Sequence, residues 1–556
     1  MATMAAIDIP ALVRTLDLAG EAPCPLPDWL AESTSNPRPF WTALFEHAHG
    51  LAPLRSRPGE PQDLYQDAVL RQTRMGRLAF VSYDRGIAHS LSFDTLDARA
   101  SALAAAWERG GAVAGATIAL VFPLGMQLLI ALAASLRLGL CISILEPCGA
   151  RTLRARLESL APAHVVGEPD TVDQLGSFAA LALPFVDSGP PSSTVPFAYA
   201  PGQPLAKLFS PLRSPLSQPT VLSAARALED GLRDSIFALR IGAGDVLAAP
   251  GFHTQQHFPA LLLATWLAGA TFVHLSLGEV RKRPSLLVEA SVSTLGLSAD
   301  LFEILRSTPV SLRHMRHVFH PVDEPLDWTV AHDLLRRLDL LSVMSSNVLI
   351  DAASGGCLLI SARRPGSVSA RVFPAPGRSF KLLDLSGRGE VSAGGVGIFG
   401  IPVAPKGFDG YFIVADRSGE HLYGSTIAPR RGARLFPTYE LEEWGATLPG
   451  VTAAAVVPVP ESGPCGRWSF HCLFFVSHRL PVGALTKEQV KHAILSDLGD
   501  DFLPDEIIFV PLRPRLIRGT VDAEWCHRQY LSGMLSRKAR LPIFRHLSAL
   551  RSLVEG

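Results

Sequence analysis

No two cysteines of this chain have the close spacing of a zinc knuckle or a redox motif. There are seven. Cys141 and Cys148, like Cys465 and Cys472, are separated by six residues, a loop spacing that matches no metal signature. The odd count fits reduced thiols, so no metal is expected and a cytoplasmic location is. An excess of one charge is also missing: 51 basic side chains face 51 acidic ones. Without a basic stripe interleaved with aromatics, a nucleic-acid partner is excluded. The opening MATMAAIDIPALVRTLDLAG lacks a basic start followed by an unbroken apolar stretch, so no secretory signal is expected. Long hydrophobic runs are lacking too. ATIALVFPLGMQLLIALAASLRLGLCISIL (116–145) approaches bilayer length, but Pro123, Gly125, Arg137 and Gly139 interrupt it. It reads as strand Thr117–Phe122, helix Met126–Leu138 and strand Cys141–Leu145, not as a membrane span. HExxH, GxSxG and a post-strand GxGxxG are absent, as are internal repeats.

What is present is apolar and alternating. The 556 residues are 48% hydrophobic, enough for several domains with large cores. Residues 1–80 read as an irregular, proline-rich extension with helical fragments. LSFDTLDARASALAAAWERGG begins as strand and continues as a helix with Leu96, Ala100, Leu103, Ala104 and Trp107 on one face. Gly110 and Gly111 end it. Strands and helices then alternate to about residue 350: SAARALEDGLRDSIFAL as helix, DVLAAPGF as strand and turn, QHFPALLLATWLAGA as buried helix, TFVHL as strand. This order predicts mainly parallel sheets covered by helices. After Gly355, glycine-broken short strands predict a small antiparallel β region. From about 417, TAAAVVPVP, HCLFFVS and TKEQVKHAILSDLG predict a smaller α+β domain. Residues 531–556 read as a basic amphipathic helix. The expected fold is α/β, with a large domain over 81–416 and the small domain over 417–530.

The order of these pieces resembles the adenylate-forming superfamily of acyl-CoA synthetases, luciferases and peptide-synthetase adenylation domains. LSFDTLDARASALAAAW is similar to the family's LTYxELxxRAxxLAxxL. APGFHTQQHFPALLLATWLAGATFV is similar to xPxFHxxGxxxxLxxLxxGAxxV. GFDGYFIVAD resembles xxDGWFxTGD, and RRGARLFPTYELEEWGATLPGVTAAAVVPVP resembles xxGxRVxPxELExxLxxHPGVxxAAVVGVP. Together the matches span about residues 80–530. The resemblance implies a mobile C-terminal domain. It also implies a reaction in which a carboxylate attacks the α-phosphorus of ATP and the acyl-adenylate passes to a thiol.

The parts that handle phosphate depart from the family pattern. Its [ST]-S-G-[ST]-T-G-x-P-K-G loop falls on Ser210–Pro219, FSPLRSPLSQPTVLS in context. There Pro211, Pro215 and Pro219 remove N–H donors, no glycine remains, and Gln218 replaces the lysine. Arg213 is the one cation left for an anion. The family's metal-binding glutamate falls on Val348 in MSSNVL, and a valine cannot hold Mg²⁺. Tyr423 stands near the family's hinge-region arginine. The catalytic lysine falls on Thr520, after Arg518 and Gly519. Asp416 keeps the ribose-binding carboxylate. His253 and His257, at helical spacing, and Glu324 beside Asp323 in HPVDEP are the polar candidates for the substrate pocket.

Losing one preorganised charge-stabilising donor typically costs about 3–4 kcal/mol of barrier, so the combined losses predict that adenylation has lapsed. ATP and Mg²⁺ are expected only if the site is rebuilt. The partners expected are an acyl or aryl carboxylate, or an acyl carrier protein. Three functions stay open: an auxiliary binding component of acyl or natural-product metabolism, a divergent acyl-adenylate or acyl-CoA ligase, and a repurposed ATP-independent acyl-transfer or cyclising enzyme.

Overall fold

The computed structural model describes residues 7–19, 28–210, 218–324, 328–363, 371–384, 389–391, 396–402, 408–418, 421–426, 430–431, 434–461, 468–477, 485–517 and 520–535. The chain divides into two compact units, one of Met1–Pro147 with Arg156–Ala428 and one of Cys148–Ala155 with Pro429–Gly556. The division falls after Ala428, beyond Asp416.

Local sequence explains the elements of the first unit. β1 (Leu78–Asp84) and β2 (Ile87–Ser92) form a hairpin closed by Arg85 and Gly86, whose φ angles are 49° and 77°. Two positive φ values in a row are the primed turn whose twist matches its strands. Ser92 then caps helix Phe93–Arg109 by accepting the Thr95 N–H at 3.1 Å. The interrupted apolar run becomes β3 (Thr117–Val121), helix Met126–Leu138 and β4 (Cys141–Leu145). Among the described residues no helix is long and apolar enough to cross a membrane.

β3 and β4 join β5 (His164–Gly167), β6 (Pro204–Leu208) and β7 (Thr220–Ser223) in a sheet ordered β5-β3-β4-β6-β7. A larger sheet holds β8 (Val246–Ala248), β9 (Thr271–His274), β10 (Thr294–Gly296), β11 (His317–Pro321) and β12 (Met344–Asp351), paired in parallel in the order β1-β9-β8-β10-β11-β12. Beyond β12 the pairing turns antiparallel through β13 (Gly356–Arg363) and β14 (Arg371–Pro374). β15 (Lys381–Leu383), β16 (Val396–Pro402), β17 (Phe408–Ser418) and β18 (His421–Thr426) complete the antiparallel region expected from the glycine-broken strands.

Helices Met126–Leu138, Ala224–Arg233 and Phe258–Ala268 supply much of the main core, with Leu129, Leu228 and Trp266 fully or almost fully buried. Residues of the N-terminal segment belong to the same core: Phe40, Trp41, Leu44 and Phe45 of helix Pro37–Leu51 pack into it. An apolar cavity of about 80 Å³ remains between these helices and β4, β6 and β7, with Ala227, Ala260, Leu136 and Ile142 in its wall. Arg233 is fully buried and bonds Asp230 (2.6 Å), Asp234 (2.7 Å) and the Cys357 carbonyl (2.7 Å). Asp234 in turn accepts the Cys357 N–H at 2.7 Å. This ionic knot ties the end of helix Ala224–Arg233 to the start of β13.

In the second unit Val451–Pro460 pairs antiparallel with Trp468–Val476, which pairs parallel with Glu506–Val510. Helices Thr438–Gly445 and Lys487–Asp497 contribute Leu441, Trp444, Val490 and Ile494 to one apolar cluster against the sheet. Helix Ala523–Leu531 contributes Cys526 to the other. The second unit is therefore α+β, as its strand–helix pattern predicts. The expected C-terminal basic helix lies, beyond residue 535, outside the described residues.

Candidate functional site

In an open parallel sheet, ligands collect where strands end at their carboxyl edge. Here that edge is formed by the segments after β8, β11 and β12. After β8 the chain runs Pro250–His257 before helix Phe258–Ala268 begins. Gly251 has φ +84°, and a Cβ there would lie 2.4 Å from the Ser298 hydroxyl. Only glycine gives this turn both its backbone and its close approach.

The two histidines organise the turn. His253 Nδ1 accepts the N–H groups of Gln255 (3.1 Å) and Gln256 (3.2 Å). His257 Nδ1 accepts the His253 N–H at 2.9 Å. Each ring therefore uses its Nδ1 lone pair on the backbone and carries its proton on Nε2. Their helical spacing does not place them on a helix: His257 is the residue before the helix and His253 lies in the turn. Phe252 packs edge-on against His257, with ring centroids 4.9 Å apart, and against Phe319 at 5.3 Å.

Gln256, which the sequence reading passed over, links the three segments. It is fully buried. Its Nε2 donates to Asp323 Oδ2 and to the Ile350 carbonyl, both at 3.1 Å, and its backbone carbonyl accepts the Ala352 N–H at 2.7 Å. An amide in the polar run HTQQH has no periodicity to single it out, and its partners are distant in sequence.

Glu324 is 2% exposed and accepts the Ala299 N–H at the start of helix Ala299–Ser307. A carboxylate at that end is favoured by the helix dipole. Val348 is 0% exposed and pairs with Ile360 of β13. The position that the resemblance assigns to a metal-binding carboxylate is thus hydrocarbon in a buried ladder, and it does not fit a hard cation. Asp351 accepts the Ser354 hydroxyl at 2.8 Å, closing the turn that follows β12.

Beside this polar cluster lies a pocket of about 200 Å³ walled by Leu124, Phe252, Phe258, Leu261, Phe272 and Leu275. The structure thus brings His253, His257, Asp323 and Glu324 to one edge of the sheet. Asp416 lies in β17 opposite Val396 and Tyr423, and Thr520 pairs with Ile517 in the second unit. The side chains of Asp416 and Thr520, and all of Arg213 with the rest of 211–217, lie outside the described residues.

Comparison with protein-family models and with curated protein sequences finds no match. Comparison with solved structures does. Amide bond synthetase McbA from Marinactinospora thermotolerans superposes with a TM-score of 0.66 at 17% identity, over 84% of this chain and 99% of that one. A double mutant of o-succinylbenzoate CoA synthetase from Bacillus subtilis gives 0.64 at 13% identity, over 84% and 98%. Acetoacetyl-CoA synthetase from Streptomyces lividans gives 0.63 at 16% identity, over 97% of each chain. The fold of this chain is therefore that of the adenylate-forming enzymes. Likeness at such identity defines the fold and leaves the chemistry to the residues.

Proposed function

We propose that this protein binds an acyl or aryl carboxylate at the carboxyl edge of the large sheet without activating it through MgATP. It would serve as an auxiliary or carrier-protein-binding component of acyl or natural-product metabolism. The observation that carries the reading is Val348, buried in β12 against Ile360 where the resemblance asks for the metal carboxylate. The prolines at 211, 215 and 219 and Thr520 point the same way. The apolar pocket beside Phe252 supports retention of a place for the acid's hydrocarbon body.

Equilibrium dialysis of the purified chain against millimolar MgATP, with AMP for comparison, tests the proposal. The expected result is no saturable MgATP binding and no acid-dependent exchange of pyrophosphate into ATP. Acid-dependent exchange would overturn it in favour of a divergent ligase, the reading that the retained Asp416 favours.

A further inference from the structure

The second unit carries a polar cluster that carboxylate binding does not use. Ser469 and His471 stand two residues apart on strand Trp468–Val476, so both side chains project from one face of the sheet. There Ser469 Oγ lies 3.1 Å from His471 Nε2. His471 Nδ1 lies 2.7 Å from the hydroxyl of Tyr530, which comes from helix Ala523–Leu531. Glu506 is the register partner of His471 on the parallel strand Glu506–Val510, and its carboxylate comes within 3.6 Å of the same Nδ1. Lys487 pairs with the other oxygen of that carboxylate at 3.8 Å. Ser469 and His471 are both half-buried, so a reagent can reach them from solvent.

Two tautomers of His471 satisfy these hydrogen bonds, and Glu506 decides between them. Its negative charge favours the ring proton on Nδ1, where the Tyr530 oxygen accepts it. Nε2 then presents a lone pair, and the Ser469 hydroxyl donates to it. A hydroxyl is thus in contact with a base whose far side is oriented by Tyr530 and faces a carboxylate able to stabilise the imidazolium. These are the relations of an activated serine. The N–H of the residue after the nucleophile, which serves the oxyanion in many serine hydrolases, is already engaged: Phe470 N–H donates to Asp505 Oδ2 at 2.7 Å. The site therefore suits a carbonyl that already carries a good leaving group, a thioester rather than an amide.

We propose that Ser469 is an acyl acceptor for thioesters. Its Oγ bonds to the thioester carbonyl carbon while its proton passes to His471 Nε2. The carbon–sulfur bond breaks, and the thiolate leaves with that proton. Ser469 is left as an oxygen ester and His471 is neutral again. An oxygen ester is a poorer acyl donor than a thioester, so the acyl group accumulates on the protein. The inference uses residues of the second unit alone and does not depend on carboxylate binding by the first.

The test is incubation of the full chain with S-octanoyl-N-acetylcysteamine, read by intact mass and peptide mapping. An octanoyl group is expected on the peptide that bears Ser469, and a fluorophosphonate is expected to label the same residue. Ser469→Ala is expected to abolish both adducts at that peptide. His471→Ala is expected to slow octanoylation of Ser469 about 100-fold, the contribution of a positioned general base. Added imidazole is expected to restore part of the rate in that variant while leaving the wild type little changed, a response that a merely structural histidine would not give. No octanoyl group on Ser469 in the wild type, or a rate indifferent to His471→Ala, would overturn the inference.

Discussion

At the scale of single residues, the side chains at the sheet edge hold backbone as much as they face a cavity. His253 and His257 lend their Nδ1 lone pairs to N–H groups, and Glu324 caps a helix. Gln256 is the residue whose loss would be felt most, because it joins β12, Asp323 and the turn after β8. Gln256→Leu is expected to cost about 2–3 kcal/mol, the value of hydrogen bonds to a buried charged group. Gln256→Glu is expected to cost more, since it sets a second carboxylate against Asp323. Urea titration of both variants checks this; a glutamate variant as stable as the leucine one would contradict it.

At the scale of elements, most of the fold was legible in the chain. The helix over Met126–Leu138 and its flanking strands follow from where Pro123, Gly125 and Gly139 interrupt the apolar run. Helix Phe258–Ala268, apolar all round, and β9 follow from the uniformly apolar run and the Gly269 that ends the helix. The i, i+4 spacing of His253 and His257 admits both a helix face and a loop, because spacing cannot tell a helix from a turn capped by its own side chains; here it is the turn. The role of Gln256 was hidden for a related reason: its partners, Asp323 and Ile350, are distant in sequence. The apolar cavity between helices Met126–Leu138, Ala224–Arg233 and Phe258–Ala268 was equally invisible, since it depends on how three elements meet. Its volume of about 80 Å³ corresponds to about 2 kcal/mol of forgone packing. Ala227 is fully buried in its wall, and leucine costs a helix only a little propensity relative to alanine. Ala227→Leu is therefore expected to raise stability by about 1 kcal/mol, overpacking taking back part of the gain. A lowered thermal midpoint would show that the space cannot accept the side chain.

At the scale of the whole molecule, a buried carboxyl makes the stability of the second unit depend on pH. In the second unit Glu442 is largely buried and its carboxylate accepts the Val456 N–H of the first sheet strand at 2.7 Å. Burial pushes its pKa from 4.5 up to about 7, the hydrogen bond opposing. A carboxyl held above its unfolded value stabilises the fold fully below about pH 4.5, and that contribution is lost as pH rises through about 7. The loss is about 3 kcal/mol over that window. Hydrogen exchange of Val451–Pro460 and Trp468–Val476 is expected to quicken between pH 5 and 8 beyond the intrinsic trend. Glu442→Gln, which keeps the acceptor and removes the titration, is expected to flatten that dependence.

The pairing of β1 with β9 has a consequence in time. Phe80 lies beside Phe272 in the parallel ladder, so the hairpin of β1 and β2 leaves the ribosome long before its neighbour exists. At about 5–20 residues per second of synthesis, that wait is on the order of 10–40 s. The strands β3, β4 and β5, which pair among themselves, are made meanwhile and need nothing downstream of Gly167 to meet. During translation, the nascent chain thus carries an unclaimed strand, and its safe passage depends on how quickly the second half arrives.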